Sequence, residues 1–173
     1  MTHNMRSIGI NLQPWLDGGL LRCHASRPSL QGLEPHLAAM IKDVDDFKPD
    51  VAIVDPLSAL LSSGTLHQTQ GMLLRLIDHL KTIGVTALFT TLQAGDDQTD
   101  LSVSSIMDTW ILVRNTPKGD DVVRRLQVVK SRGMSHSSQL RVMEIDKEGV
   151  QVKQAFAVPA ARNRPQKRKG PPR

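Results

Sequence analysis

Residues 50–57, DVAIVDPL, constrain the fold of this chain more than any other stretch. Four consecutive apolar residues run without a polar break and end in an acid. Such a run predicts a short parallel strand buried on both faces. Its flanks fit that reading. EPHLAAMIKDVDDFKP (34–49) sets Leu37, Met40, Ile41 and Val44 on one helical stripe and is stopped by Pro49. QTQGMLLRLIDHLKTIG (68–84) sets Met72, Leu73, Leu76, Ile77, Leu80 and Ile83 at helical spacing, with Gly84 past its end.

Two further apolar runs follow, VTALFTTL (85–92) and TWILVRN (109–115), and GLLRCHAS (19–26) reads as an earlier strand. After residue 120 the pattern changes. DDVVRRLQVVKSRG and LRVMEIDKEGVQVK alternate like antiparallel strands, joined by the polar loop MSHSSQ. The order is helix and strand in alternation, then a β-meander. This is an α/β class domain with parallel central strands and a carboxyl-terminal antiparallel β-meander.

At 173 residues the chain has room for one domain with a real core. It carries 22 basic and 17 acidic residues, a net charge of +5. Arg162, Arg164, Lys167, Arg168, Lys169 and Arg173 put six of the basic residues into the last twelve positions. Taking those six from 22 leaves 16 against 17, so the body is near neutral. The charge describes a Pro/Arg/Lys-rich tail, expected to be disordered over residues 158–173, and no basic groove on the domain of residues 1–157. With no Tyr, three Phe and two Trp, aromatic platforms for stacking bases are not expected. The single cysteine, Cys23, excludes an intramolecular disulfide and fits a reducing compartment. No apolar run approaches the ~20 residues of a membrane span, and MTHNMRSIGIN lacks the apolar centre of a signal peptide. A cytoplasmic protein without membrane attachment is expected.

Ligands of open parallel sheets gather at the carboxyl ends of the strands. Polar residues stand there: Asp55 followed by Ser58, then Thr90 and Thr91, then Asn115. An acid at the tip of an apolar strand is the Walker B pattern, in which a carboxylate holds magnesium beside a nucleotide phosphate. An aspartate capping a turn before Pro56 gives the same letters. VVKSRGMSHSS (128–138) holds Lys130, Arg132, Gly133 and His136. Residues two apart on a strand share a face, so both cations can converge on one polyanion. Arginine offers a fork of donors and lysine a mobile point charge. A solvated hairpin edge with a loop histidine would carry the same residues.

KSRGMSH, IVDPLSALL, SIMDTWILVRN and MEIDKEG, in that family's order and spacing, resemble the KaiC-like branch of the RecA superfamily of ATPases. The resemblance runs from about Asn4 to Val152, and NMRSIGINLQPWLDGGLL resembles the helix and loop before that family's third strand. It implies a RecA-like P-loop NTPase core and hexameric rings with ATP and Mg2+ between adjacent subunits. The implied activity is ATP hydrolysis, with protein autophosphorylation in some relatives. It further implies that the KxRG strand reaches a neighbour's nucleotide. Lys130 and Arg132 would then approach its phosphates, His136, Ser131 and Asp146 would line it, and Asp55 would hold the metal.

The sequence departs from that pattern in one respect. No GxxxxGK[ST] occurs, and Glu34 is the first glutamate, so neither the phosphate cradle nor the paired water-activating glutamates are found. The chain resembles the later part of such a domain, a truncated core beginning after its first βαβ unit; a truncated start, a misassigned start and a split gene are all compatible with it. Alone, it is expected not to hydrolyse ATP and to expose sheet edges and faces. One alternative is a non-catalytic regulatory or interaction subunit of a KaiC-like assembly. Another is a RecA- or RadA-like recombinase fragment, against which the near-neutral body and missing aromatic loops count. Expected partners are KaiC-like subunits in a homo- or hetero-oligomer, together with regulatory or signalling proteins; nucleic acid is expected only through the tail. Cys23, Trp15 and Trp110 read as packing residues. His24, His36, His67 and His79 lack metal spacing, and SVSS (102–105) reads as a solvated loop.

Overall fold

The computed structural model describes residues 1–26, 32–61, 63–92 and 106–154. The expected tail, the domain limit at residue 157, and SVSS lie outside these residues. Two short helices open the chain, α1 (Thr2–Ser7) and α2 (Gln13–Asp17). Then come α3 (Leu33–Phe47), β1 (Val51–Val54), α4 (Ser58–Leu61), α5 (Leu66–Thr82) and β2 (Thr86–Phe89). The strands β3 (Thr109–Lys118), β4 (Asp121–Ser131), β5 (Arg141–Asp146) and β6 (Gly149–Gln154) complete the described chain.

Local chemistry accounts for the two long helices. α3 ends at Lys48, which takes a left-handed φ of 50°, and Pro49 prevents continuation. α5 starts on a capping box: the Thr65 hydroxyl accepts from the Gln68 backbone N–H, while the Gln68 side chain accepts from the Thr65 N–H. The stripes predicted from the sequence form the core, except Ile83, which lies just past α5 and is exposed. Leu33 and Leu37 of α3 meet Met72, Leu73, Leu76 and Leu80 of α5, with Leu57 and Leu60 between them, all buried.

β1 and β2 pair in parallel, Val51 opposite Thr86 through Val54 opposite Phe89. Burial on both faces was expected, and the structure corrects it. Ala52, Val54, Ala87 and Phe89 pack on the helical core. On the other face Val51, Ile53 and Leu88 remain 54%, 63% and 49% exposed. The physical reason is one-sided cover: α3 and α5 share a single core with the same side of these strands. The predicted strand over 19–26 is not formed. Leu21–Ser26 have no regular structure, and Cys23 is exposed instead of packed in a core.

The four later strands make one antiparallel sheet in the order β3-β4-β5-β6. TWILVRN is therefore the start of a long hairpin strand and not a third parallel one, and Asn115 sits inside β3, opposite Arg124, not at a strand tip. LRVMEIDKEGVQVK is itself a hairpin, with Asp146 paired to Gly149 across its turn. Cross-strand pairing sorts side chains by face. Ile111 faces Val128, Val113 faces Leu126, Met143 faces Val152 and Ile145 faces Val150, an apolar face on which Ile111 and Val152 are more than half exposed. The opposite face begins at Trp110, which packs against the helical core. Among the described residues no helix is long and apolar enough to cross a membrane.

Candidate functional site

Parallel pairing brings the ends of β1 and β2 side by side. The Thr90 backbone N–H donates to the Val54 carbonyl at 3.1 Å, and the Leu57 N–H donates to the Thr90 carbonyl at 2.7 Å. These bonds fix the first residues past both strands. The Thr90 hydroxyl donates to the Asp55 carboxylate, which is exposed. The peptide bond between Asp55 and Pro56 is cis. An exposed carboxylate beside a threonine hydroxyl supplies hard oxygen ligands. Magnesium is ordinarily held by one or two carboxylates together with substrate phosphates, so this donor set fits part of a magnesium shell.

The second cluster lies where β3 begins and β4 ends. The pairing runs Leu112 with Gln127 and Ile111 with Val128, then skips to Trp110 with Lys130 and Thr109 with Ser131. Val129 is the extra residue of a β-bulge. Its effect is large because side chains alternate between faces with period two. Without the bulge Lys130 would fall on the apolar face of Ile111. With it, Lys130 stands opposite Trp110, on the face that packs toward the helices. The Arg132 N–H donates to the Asp108 carbonyl at 2.8 Å, which carries the same register one residue further. Arg132 thus stands opposite Asp108. The two cations share one face, as their spacing predicted.

Asp108 is held from a third element. The Lys81 ammonium, at the end of α5, lies 3.0 Å from its carboxylate. That hydrogen bond, with the Lys81 charge and then the charges of Arg132 and Lys130, holds the Asp108 carboxyl below the usual carboxylate range. Ser131 points to the other face, where its hydroxyl lies 3.1 Å from that of Thr109. Past the strand, Gly133 takes φ 70°, a turn that favours glycine. His136 is exposed, with Nδ1 3.3 Å from the Met134 carbonyl.

Asp146 is placed apart from this cluster. It caps its own hairpin, accepting from the Glu148 N–H at 2.8 Å and the Gln151 amide at 3.0 Å. β4 pairs with β5 at Arg125–Val142 and Leu126–Arg141. Continuing that register sets Asp146 toward the Asp121 end of β4, roughly 30 Å of extended strand from Lys130. The structure therefore gathers Lys130, Ser131 and Arg132 at one sheet end, with His136 in the loop that follows, sets Asp55 at the tip of β1, and leaves Asp146 in a turn of its own. Reading the sequence alone missed Asp108 and the bulge. The letters of SIMDTW were visible, but the partner of Asp108 is fixed only by a register that one extra residue shifts.

The histidines find ordinary partners. His24 meets Asp43 at 2.8 Å, His79 meets Asp45 at 2.9 Å, and buried His36 lies 3.3 Å from the Ser26 hydroxyl. Burial, aided by the nearby His24, lowers the His36 pKa.

Comparison with known proteins agrees with the resemblance. A family model described as "ATPase: KaiC" matches residues 1–156. The chain is similar to the circadian clock protein KaiC2 of a Synechocystis strain, with 40% identity over 158 residues, 88% of this chain and 28% of that protein. It is similar also to the circadian clock oscillator protein KaiC of Prochlorococcus marinus, with 28% identity over 90% of this chain and 32% of that protein. The chain thus spans about a third or less of the length of these relatives. With the match running from the first residue through the last described strand, the chain belongs to the KaiC ATPase family.

Proposed function

We infer that this chain acts in an oligomer of KaiC-family subunits by presenting Lys130 and Arg132 to ATP held by an adjacent subunit. The observation that carries the reading is the shifted register at Val129, which turns the face shared by both cations to the side of Trp110 at the end of the sheet. A polyanion is the ligand that such a pair fits, and the family makes a nucleotide triphosphate the natural one. His136, in the loop that follows, would lie beside that nucleotide. Ser131, whose hydroxyl faces Thr109 on the other side, would meet it only through its backbone, and Asp146 would reach it only from a different part of the assembly. Asp55, with the Thr90 hydroxyl bonded to it, is the residue that would hold Mg2+. The metal would neutralise charge on the phosphates during hydrolysis.

A second reading is favoured by the absence of GxxxxGK[ST] from the 173 residues. Here the chain is a regulatory subunit, supplying cations across an interface to a partner with its own P-loop. The test separates both readings from a chain with no nucleotide role. Purified chain alone should release no phosphate from ATP, since the cradle that positions the nucleotide is not in it. Mixed with the Synechocystis KaiC2 protein, wild-type chain should alter that protein's turnover and Arg132→Ala should abolish the change. Removing a cation that meets developing phosphoryl charge costs about 10³-fold or more at the dependent site. Equal turnover with wild-type and Lys130→Ala/Arg132→Ala chain would contradict the reading, as would chain-alone turnover that disappears with Asp55→Ala.

A further inference from the structure

Cross-strand partners on one face of an antiparallel pair have Cβ atoms about 4.5–5.5 Å apart, with diagonal neighbours about 7–8 Å apart. Trp110 is paired with Lys130, Thr109 with Ser131, and the Asp108 carbonyl accepts from the Arg132 N–H. On the shared face, Asp108 is therefore opposite Arg132 and diagonal to Lys130. The two like charges stand two residues apart at the end of β4 and just past it, and among the described residues the carboxylate on that face of the facing strand end is near enough for both charges to lower its pKa. Lys81 reaches the same carboxylate from α5 at 3.0 Å and ties this strand end to the helix.

We propose that Asp108 is the positioning residue of the KxRG pair: its carboxylate, placed opposite Arg132 by the strand register, sets the direction of the Arg132 fork and holds Lys130 beside it. This rests on the reading that Lys130 and Arg132 meet a neighbour's phosphates. Two cations brought together on a bare strand end repel each other and splay. A carboxylate opposite one and diagonal to the other offsets that repulsion and preserves the spacing before a phosphate arrives. Asp108 does not touch the nucleotide; it acts through Arg132. The bulge at Val129 is part of the same device, because with regular pairing Asp108 would meet Ser131 and both cations would lie on the other face. Nearby charges thus divide into a tie to the helix, Lys81, and two presented groups.

The tie of Asp108 to Lys81 and its charge opposite Arg132 can be tested separately. Lys81→Met removes the tie to α5 and leaves the carboxylate opposite Arg132. Asp108→Asn removes the charge that both relationships use. Thermal unfolding reads the tie, and both variants should lower the midpoint similarly. Turnover of the Synechocystis KaiC2 protein, measured with each chain variant in excess, reads positioning. A misplacement of ~1 Å can cost about 10²-fold. Asp108→Asn should accordingly lower the chain-dependent kcat about tenfold or more, with KM for ATP unchanged. Lys81→Met should keep at least half of the wild-type effect, and Asp108→Glu should restore part of it. If Asp108→Asn retains the wild-type effect while Arg132→Ala loses it, the positioning role is overturned and the proposed function stands. If Lys81→Met falls as far as Asp108→Asn, Asp108 is a structural tie and the inference is overturned. If Arg132→Ala has no effect, the proposed function fails and the inference fails with it.

Discussion

Gly9 joins the start of the chain to the far end of the meander. Its φ is 80°, and a Cβ built there would stand 2.1 Å from the Lys147 carbonyl oxygen. Backbone therefore approaches backbone at the β5–β6 turn, which glycine alone allows. Gly9→Ala would incur about 1–2 kcal/mol from the left-handed backbone alone, and the contact with Lys147 adds to it. Thermal unfolding should show a lowered midpoint, whereas Gly119→Ala, with a similar φ and nothing near its Cβ, should be milder. His36 offers a second test. Its folded pKa is depressed, chiefly by burial, so the unfolded chain binds the proton more readily. The associated stability is present above the unfolded value of about 6.5 and is lost as pH falls through the depressed folded value. Denaturant midpoints should therefore fall on acidification below about pH 6.5, and His36→Gln should flatten that part of the profile. An unchanged slope in the variant would assign the acid sensitivity to other groups.

Among the elements, α5 is the main support of the helical core. Leu73 and Leu76 are at most 1% exposed. Leu73→Ala should cost about 2–5 kcal/mol, the range for truncating a buried leucine, as read by chemical denaturation. β4 matters for a different reason. Deleting Val129 would regularise the hairpin and leave Lys130 opposite Trp110 and Arg132 opposite Asp108, on the face they now occupy. Circular dichroism should report a sheet retained, and the effect of the chain on KaiC2 turnover should persist; its loss would contradict the proposed role of this pairing. The same contrast explains what could be read in advance. The two long helices were legible to within two residues because an apolar stripe, of four side chains in α3 and six in the α5 reading, agrees with strong end signals. The parallel pairing of β1 and β2 was legible from continuous apolar runs and polar tips. The strand over 19–26 failed because an apolar run has β-propensity without a partner, and Leu21–Ser26 hydrogen-bond into no sheet. The shared face of Lys130 and Arg132 was legible from spacing alone. Which face it would be was not, since a bulge is set by pairing between strands about twenty residues apart.

At the scale of the whole molecule, the arrangement of apolar surface is the dominant feature. One face of β1–β2 carries Val51, Ile53 and Leu88 in the open, and one face of the meander carries Ile111, Val113, Val150 and Val152. Contiguous apolar faces and unpaired strand edges favour association. The isolated chain should run in gel filtration as an oligomer or aggregate, and Ile53→Lys with Leu88→Lys should shift it toward monomer without loss of α-helical signal. A compact monomer of wild-type chain with one sharp unfolding transition would contradict this account. The central claim is about where Lys130 and Arg132 point in the assembly. The most direct measurement uses an ATP analogue with a photoreactive group on the γ-phosphate, bound to KaiC2 in the presence of this chain and irradiated. The account predicts cross-links to this chain within residues 128–136, lost on Lys130→Ala/Arg132→Ala substitution. Cross-links confined to KaiC2, or mapping elsewhere on this chain and indifferent to both substitutions, would contradict it.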